Sequence, residues 1–334
     1  MQIHITSIYN QLGTQGIAQH KIAKVAKEMG FHELGLFRYD VNSDSDRELR
    51  TRIDGIISSI QPGDVVFLQS PSWNGLRYDL CLVRRIRVFD NVKIVFFVHD
   101  VIPLSFNSGE DKLRATIEIY NYADMIIVPS KAMLNLLRQY GLTVKQQMIQ
   151  ELWDYPISFE LSQPEFHKRM FFTGSPDRFP FLRNWTYPTQ LVLYSNVPFS
   201  TEGLNIEFHG YQKELALLSD LSKGGYGLVW PSDEANTYYQ LIQPYKIGSY
   251  LAAGIPIIMP RGLEPEQVIL ENGLGFVVDS LEEANAIIQS TGKEEYYRMV
   301  QRIKEFNVLV KDGWFTKKML TDSVMRLYNK NYTH

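Results

Sequence analysis

Short apolar segments and amphipathic segments alternate along the whole chain. Segments such as 3–7 and 92–98 are rich in β-branched residues and have the length of strands. Between them lie segments with apolar residues at helical spacing, such as 17–29, which Gly30 ends. The alternation predicts an α/β fold of doubly wound parallel sheets with helices on both faces.

The first half is predicted to hold strands at 3–7, 34–39, 65–69, 92–98 and 125–129. The helices between and after them are predicted at 17–29, 46–60, 77–89, 112–122 and 131–140. In such sheets, ligands bind beyond the carboxyl ends of the strands. The loops that follow the predicted strands are therefore the first places to look for chemistry.

A second series of strands and helices follows a segment without periodicity that contains Pro156 and Pro164. Its strands are predicted at 170–173, 190–194, 205–209, 226–231, 255–259 and 275–278, and its last helices at 282–289, 294–310 and 314–328. A chain of 334 residues suits two domains, placed at 1–155 and 165–312. The C-terminal helix, 313–334, is expected to pack back on the first domain.

The segment 244–260 predicts a short helix, a glycine stop and a buried strand. Pro244 suits the first turn of a helix, and Gly254 suits a left-handed C-terminal cap. Lys246 places a cation at the helix start, where the dipole disfavours it. An anionic ligand such as a diphosphate would resolve this conflict. By itself the segment fits an ordinary surface lysine equally well.

Other predicted strand ends carry residues that suit ligand binding. Gly13-Thr14-Gln15-Gly16 follows the first strand, and its glycines allow close approach of backbone to a ligand. His99 and Asp100 follow the strand at 92–98, where general acid–base groups are expected. In the second half, Arg178 can bind a phosphate and Tyr211 can stack on a base or reach a phosphate. Each also fits an ordinary turn or cap.

Composition narrows the classes of function. The net charge of −3 gives no support for nucleic-acid binding, and no apolar run has the length of a membrane span. The N-terminus lacks the features of a signal peptide, so a cytoplasmic location is expected. The D-x-D pattern at Asp44 and Asp46 is interpreted as a helix start capped by Ser45 or Asp46, so no metal is expected there. Tyr296 and Tyr297 are predicted to be exposed and to suit self-association.

The order of turns in the second half resembles the nucleotide-sugar domain of GT-B glycosyltransferases, in which two Rossmann-like domains face a central cleft. The whole chain resembles, more narrowly, the nucleotide-sugar-synthetase-like glucosyltransferases of streptococcal serine-rich repeat adhesins. The residues that carry the resemblance are Phe171-Phe172-Thr173-Gly174-Ser175, Phe208-His209-Gly210-Tyr211, Gly227-Leu228-Val229-Trp230, 244–256 and 273–278.

This resemblance implies transfer of glucose from UDP-glucose to N-acetylglucosamine on Ser or Thr of an adhesin, the second step of protein O-glycosylation. It implies no cofactor or metal, no nucleic acid, and a homo-oligomer, with a tetramer among the candidates. His99 and Asp100 are assigned to catalysis, where they would touch the sugar or deprotonate the acceptor. The expected UDP-sugar site consists of Thr14, Gly16, Arg178, Tyr211, Pro244, Tyr245, Lys246, Ile247, Gly248 and Ser249.

One departure from the family pattern concerns glutamates. Many retaining GT-B enzymes carry two glutamates that flank the sugar and the ribose, and the spacing of Glu264, Glu266 and Glu271 does not reproduce that pair. The sequence therefore leaves the stereochemical outcome open. Two other functions also stay open, a nucleotide-sugar epimerase with the same diphosphate site and a non-catalytic partner subunit.

Overall fold

The computed structural model describes residues 1–106, 108–232 and 237–329. The chain divides into two compact units, one formed by Met1–Glu151 with Phe315–His334 and the other by Leu152–Trp314. Each unit contains one six-stranded sheet in which the strand pairs are parallel. The predicted α/β fold class with doubly wound parallel sheets is confirmed.

The sheet of the first unit has the strand order β2-β1-β3-β4-β5-β6. Its central strands are buried on both faces, which explains why they read as continuous apolar runs. The strands of this unit are β1 (Ile3–Tyr9), β2 (His32–Phe37), β3 (Val65–Ser70), β4 (Lys93–Val98), β5 (Met125–Val128) and β6 (Gln146–Ile149). Its helices are α1 (Thr14–Glu28), α2 (Asp46–Ile56), α3 (Leu76–Ile86), α4 (Ile102–Ser105), α5 (Glu110–Tyr120) and α6 (Lys131–Gln139).

The sheet of the second unit has the strand order β12-β11-β10-β7-β8-β9. The chain order reverses between β7 and β10, and such a switch point opens a crevice at the carboxyl ends of the strands. The strands are β7 (Arg169–Thr173), β8 (Gln190–Tyr194), β9 (Ile206–Phe208), β10 (Tyr226–Leu228), β11 (Ile257–Pro260) and β12 (Gly275–Val278). The helices are α7 (Glu214–Leu221), α8 (Thr237–Leu241), α9 (Lys246–Ala253), α10 (Glu266–Glu271), α11 (Leu281–Ser290) and α12 (Lys293–Lys311).

The C-terminal helix α13 (Trp314–Tyr328) contacts β6 and Glu151, which lies two residues after the end of that strand. Lys318 Nζ lies 3.1 Å from Glu151 Oε1, and Ser323 Oγ lies 3.3 Å from the sulfur of Met148. The last residues of the helix predicted at 313–334, namely 330–334, lie outside the described residues. No helix in the described part of the chain is long and apolar enough to cross a bilayer.

Several predicted boundaries were wrong for identifiable reasons. The strand predicted at 255–259 begins at Ile257, because Ile255 N–H donates to Tyr250 O and so belongs to the cap of α9. The first helix begins at Thr14 instead of residue 17, so Thr14 and Gly16 lie in its first turn rather than in a loop. The sequence analysis did not predict β6, α4, α7, α8 or α10.

The prediction that Tyr296 is exposed is also wrong. Its side chain is 0% exposed and belongs to the core of the second unit, and its hydroxyl accepts from the N–H of Gly225 at 3.0 Å. Tyr297 is half-buried against the same core. Both residues lie in α12, whose apolar stripe faces the core. An amphipathic pattern gives the spacing of such a stripe but does not say how wide the buried face is.

Candidate functional site: an anion site at the start of α9

The start of α9 lies beyond the carboxyl end of β10, beside the switch point of the second sheet. The helix begins at Lys246, and Pro244 lies just before it instead of in its first turn, where the sequence placed it. Tyr245 is the N-cap residue, and no side chain caps the helix. The first turn contains no acidic residue either. The N–H of Ile247 donates to Pro244 O at 3.1 Å, but no side chain neutralises the positive end of the helix dipole, which favours an anion at this position.

Two close contacts fix α9 against the rest of the second unit. The hydroxyl of Tyr250 donates at 3.2 Å to Phe171 O and at 3.2 Å to Leu228 O, on β7 and β10. A Cβ on Gly227 would lie 2.2 Å from the Tyr250 ring, so only glycine leaves room for this arrangement. These contacts hold the helix start in one position relative to the strand ends.

The side chain of Lys246 is the central feature of the site. Its Nζ atom is inaccessible to solvent and has no hydrogen-bond partner among the described residues. Burial, with a smaller contribution from the neighbouring Arg178 guanidinium, lowers the pKa of Lys246 to about 7. A buried ammonium without an acceptor is costly, and an anion placed beside it would remove that cost.

Arg178 provides a second positive charge in the turn that follows β7. Its side chain is exposed and forms no ion pair with the carboxylates of the described residues. The nearby Asp177 is held by Arg183, which donates to it at 3.0 Å, so this acid does not neutralise Arg178. Lys246 and Arg178 thus form a cationic pair without a counter-ion in the described structure, as expected of an anion site.

The other residues predicted in this site differ in what they can offer a ligand. Tyr211 is 71% exposed and follows Gly210, whose φ of 66° turns the chain after β9. Ile247 is buried in the core, so only its main chain can face a ligand. Gly248 packs against the backbone of Trp153, where a Cβ would lie 2.6 Å from its carbonyl oxygen. Ser249 Oγ donates at 2.7 Å to Lys246 O and stabilises the first turn.

In the first unit, the glycine-containing segment after β1 forms the start of α1. Gly13 is the N-cap residue with a φ of 85°, which favours glycine. A Cβ on Gly16 would lie 2.2 Å from the carbonyl oxygen of Gln11, so this glycine is required by close backbone approach. Thr14 is the first residue of the helix. The first turn of α1 has no acidic residue, like that of α9.

His99 lies at the carboxyl end of β4 in a hydrogen-bond network. Its ring atom Nε2 is 2.8 Å from Oε1 of Gln69, and the main-chain N–H of His99 donates to Ser70 O. The Gln69 amide nitrogen donates at 2.5 Å to Thr6 O and at 3.1 Å to Gln19 O. Because the amide nitrogen donates to two carbonyl oxygens, the amide is oriented with Oε1 toward His99. An amide oxygen can only accept, so His99 carries its proton on Nε2.

Burial also lowers the pKa of His99 to about 3. The imidazole is therefore neutral across the physiological pH range, with Nδ1 in the acceptor form. The ring stacks on Phe97, with centroids 4.8 Å apart, which fixes its plane. Asp100, the next residue, accepts from Ser105 Oγ at 2.5 Å and so anchors the start of α4.

Acidic residues of the D-x-D pattern, and one of the three glutamates after β11, form structural contacts. Ser45 is the N-cap of α2 in a capping box with Glu48, which confirms the capping interpretation. Asp44 accepts from Arg52 at 3.0 Å through both oxygens, and Asp46 accepts from Arg77 at 2.7 Å. Glu266, one of the glutamates after β11, accepts from Gly262 N–H and Arg261. It caps the loop before α10.

Family models match both halves of the chain. Residues 2–152 match the model described as Glucosyltransferase 3-like, N-terminal domain, and residues 170–323 match the corresponding C-terminal domain. The chain belongs to the Glucosyltransferase 3-like family.

Relatives named Glucosyltransferase 3 match over almost the full length. The one from Streptococcus gordonii is 44% identical over 334 residues, which cover 98% of this chain and 99% of the relative. The one from Streptococcus parasanguinis is 36% identical over 330 residues, with the same coverage. Membership of this family of named glucosyltransferases makes the chain a hexosyltransferase enzyme.

Solved structures agree with this family at the level of the fold. HepE from Anabaena, solved in complex with UDP and glucose, superposes with a TM-score of 0.65 at 10% identity and covers 97% of this chain and 99% of its own. The two-unit architecture with parallel sheets is the GT-B fold that the sequence predicted. At this level of identity the likeness concerns the fold alone.

Two groups of residues in this Glucosyltransferase 3-like site were missed by the sequence analysis. Phe172 and Phe179 surround Lys246, and Gln69 determines the tautomer of His99. A signal for the first group was present, because Phe172 and Phe179 flank the turn that carries Gly174 and Arg178. Gln69 carries a weaker signal, as a polar residue directly after the apolar run 65–68.

Proposed function

We propose that this protein transfers glucose from UDP-glucose to N-acetylglucosamine already attached to Ser or Thr of a serine-rich repeat adhesin. The observation that carries the proposal is Lys246, an amine buried at an uncapped helix start with no acceptor among the described residues. The name of the relatives supports glucose as the transferred sugar. The resemblance of the whole chain to adhesin-modifying glucosyltransferases supports the acceptor.

The diphosphate of the donor would lie against the first turn of α9. Lys246 and Arg178 would bind its oxygens, and the positive end of the helix dipole would add to the attraction. Tyr211 completes the proposed donor contacts of the second unit, and the assignment of Thr14 and Gly16, in the first unit, to the donor stays a prediction. During transfer the bond between the anomeric carbon and the UDP oxygen breaks, and negative charge grows on the leaving diphosphate. Two charge-assisted hydrogen bonds of about 1.5–3 kcal/mol each would stabilise that charge.

The same argument makes a divalent metal unnecessary in this proposal. Metal-dependent transferases use the ion to neutralise the diphosphate, and here two side-chain cations would supply that charge. Neither cation is neutralised by a carboxylate among the described residues. The proposed enzyme therefore needs no cofactor besides its donor.

His99 is assigned to contact with the sugar and not to proton abstraction. Its low pKa makes the imidazole a weak base, whereas contact with the sugar does not require the ring to take up a proton. Gln69 would hold the ring in one tautomer through Nε2. Asp100 would hold α4 and the backbone next to His99 through Ser105. In this proposal the acceptor oxygen forms the new bond to the anomeric carbon as the bond to UDP breaks, and the acceptor proton passes to an oxygen of the departing diphosphate.

Two further parts of the proposal concern the cellular context. The single cysteine, Cys81, suits the reducing cytoplasm, where we place the enzyme. We still propose that the protein forms a homo-oligomer. Because Tyr296 is buried, it cannot belong to the surface through which the copies associate. Exposed Val308 and Leu309 on α12 are better candidates for that surface. Light scattering coupled to size exclusion measures the assembly directly.

The test is a transfer assay with UDP-glucose and a serine-containing peptide that carries N-acetylglucosamine. We expect glucose to be incorporated into the glycopeptide with release of one UDP per transfer, and no incorporation into the unmodified peptide. UDP-galactose and UDP-N-acetylglucosamine serve as competing donors. Conversion of UDP-glucose into an epimer without acceptor would instead identify an epimerase, and failure of UDP to bind would identify a non-catalytic subunit.

A further inference from the structure

The ammonium group of Lys246 lies on the faces of two aromatic rings. Its Nζ atom is 3.9 Å from the ring centroid of Phe172 and 4.9 Å from that of Phe179. The two rings meet edge to face, with centroids 4.9 Å apart and an interplanar angle of 83°. Ring faces carry partial negative charge and attract cations within about 6 Å. The amine is therefore in contact with two favourable surfaces.

No stronger partner for this amine is present among the described residues. Nζ forms no hydrogen bond there, and the charged group that acts on it is Arg178, a second cation. Tyr239 of α8 lies close enough to Arg178 to be influenced by its charge, and its hydroxyl is a neutral group at physiological pH. The rings of Phe172 and Phe179 are thus the groups that favour the charged form of Lys246.

The backbone around the rings is adapted to this arrangement. Phe172 lies on β7, Phe179 lies in the turn after it, and Gly174 separates them. A Cβ on Gly174 would lie 2.7 Å from both rings. Since Gly174 does not adopt the left-handed conformation, glycine is required here for space and not for its backbone angles. A larger residue would push the rings away from Lys246.

We propose that Phe172 and Phe179 form an aromatic cradle that holds the Lys246 ammonium in place for the donor diphosphate, which makes them positioning residues for donor binding. This inference rests on the proposed function of the site. A carboxylate partner would also stabilise the ammonium, but it would form an ion pair that the diphosphate must break. Ring faces stabilise the charge without neutralising it, so the full charge remains available to the ligand.

The alternative is that the rings only fill space in the core of the second unit. Fluorination separates the two roles, because fluorine withdraws electron density from the ring face while it changes the ring volume little. The experiment places 3,4,5-trifluorophenylalanine at position 172, in the full-length protein. Phe181 provides a matched control, because its ring packs against Phe172 with centroids 5.1 Å apart, whereas Lys246 lies over Phe172 and Phe179.

Two readouts are measured in each protein. The first is the titration of Lys246 without ligand, followed by NMR of the lysine Cε carbons and assigned with Lys246→Arg. The second is UDP affinity by calorimetry at pH 6 and pH 8. Fluorination at 172 is expected to lower the pKa of Lys246 and to weaken UDP binding at pH 8 by about two- to fivefold, with little loss at pH 6. Fluorination at 181 should change neither.

An unchanged Lys246 titration after fluorination at 172 would overturn the cradle, as would a loss of UDP affinity that is equal at both pH values. An effect of equal size from position 181 would also contradict it, since that ring does not contact the amine. Failure of the unmodified protein to bind UDP would refute the proposed function instead. The ligand-free titration would still decide whether the rings stabilise the ammonium.

Discussion

Lys246 and His99 are half-buried basic side chains that follow strands of two similar sheets, yet their surroundings give them different properties. Burial lowers the pKa of both, to about 7 for Lys246 and to about 3 for His99. Lys246 lies on ring faces and lacks a hydrogen-bond acceptor among the described residues. His99 donates to Gln69, whose amide is itself fixed by two carbonyl oxygens.

Burial therefore lowers the pKa of both groups but has different consequences for ligand binding. A lysine with a pKa near neutrality can regain its full charge when an anion binds, so its charge is coupled to the ligand. A histidine with a pKa far below neutrality stays uncharged whether or not the ligand is bound. We expect the first kind of group to affect both donor binding and turnover, and the second to affect turnover alone.

The largest effect is expected from removal of the Lys246 charge. Lys246→Ala should lower turnover by at least about 100-fold, because the growing charge on UDP loses its main partner. UDP affinity, measured by calorimetry, should fall by about 10- to 100-fold. Lys246→Arg, which keeps the charge, is the control and should retain part of both. Unchanged turnover in the alanine variant would refute the assignment of the donor site.

A smaller effect, on a different quantity, is expected at His99. His99→Ala should lower kcat by about 10- to 100-fold and leave UDP affinity unchanged, because the histidine is proposed to contact the sugar and not the diphosphate. Steady-state kinetics and UDP calorimetry on the same preparation measure both quantities. If UDP affinity falls as much as kcat, the separation of roles between the two residues is wrong.

The pH dependence of UDP binding should be smaller again. Because the pKa of Lys246 is lowered to about 7, the free protein loses this charge as pH rises through 7, and a diphosphate binds the charged form. UDP affinity should therefore fall by about tenfold between pH 6 and pH 8, measured relative to Lys246→Arg, whose guanidinium does not titrate. The reference variant removes the contribution of UDP's own ionisation. A constant affinity ratio would contradict a neutral pKa for Lys246.

The smallest effect is expected from removal of metal ions. Treatment with a chelator, followed by assay in metal-free buffer, should change turnover less than about twofold, because Lys246 and Arg178 are proposed to supply the charge that a metal would provide. Added Mg²⁺ or Mn²⁺ should restore nothing. A large loss with recovery on adding a divalent ion would show that the two cations are insufficient.

The sequence predicted the α/β fold class and most of the strands, because buried parallel strands leave continuous apolar runs. It also predicted the helix at α9 and its glycine cap, since Gly254 adopts a φ of 83°. The prediction that Tyr296 is exposed was wrong, because the helical spacing of apolar residues does not show how far the buried face of a helix extends around it. Short elements such as α10 were missed because six residues carry too little periodicity.

Local chemistry along the chain determined that a cation stands at a helix start and that a histidine follows a buried strand. These facts depend only on neighbouring residues. The tertiary structure decided what surrounds each group, because Phe172 and Gln69 reach Lys246 and His99 from strands distant in sequence. Burial and hydrogen-bond partners set a pKa, and both arise from packing between such distant segments. Sequence position alone therefore named the candidate groups, and packing determined their charge.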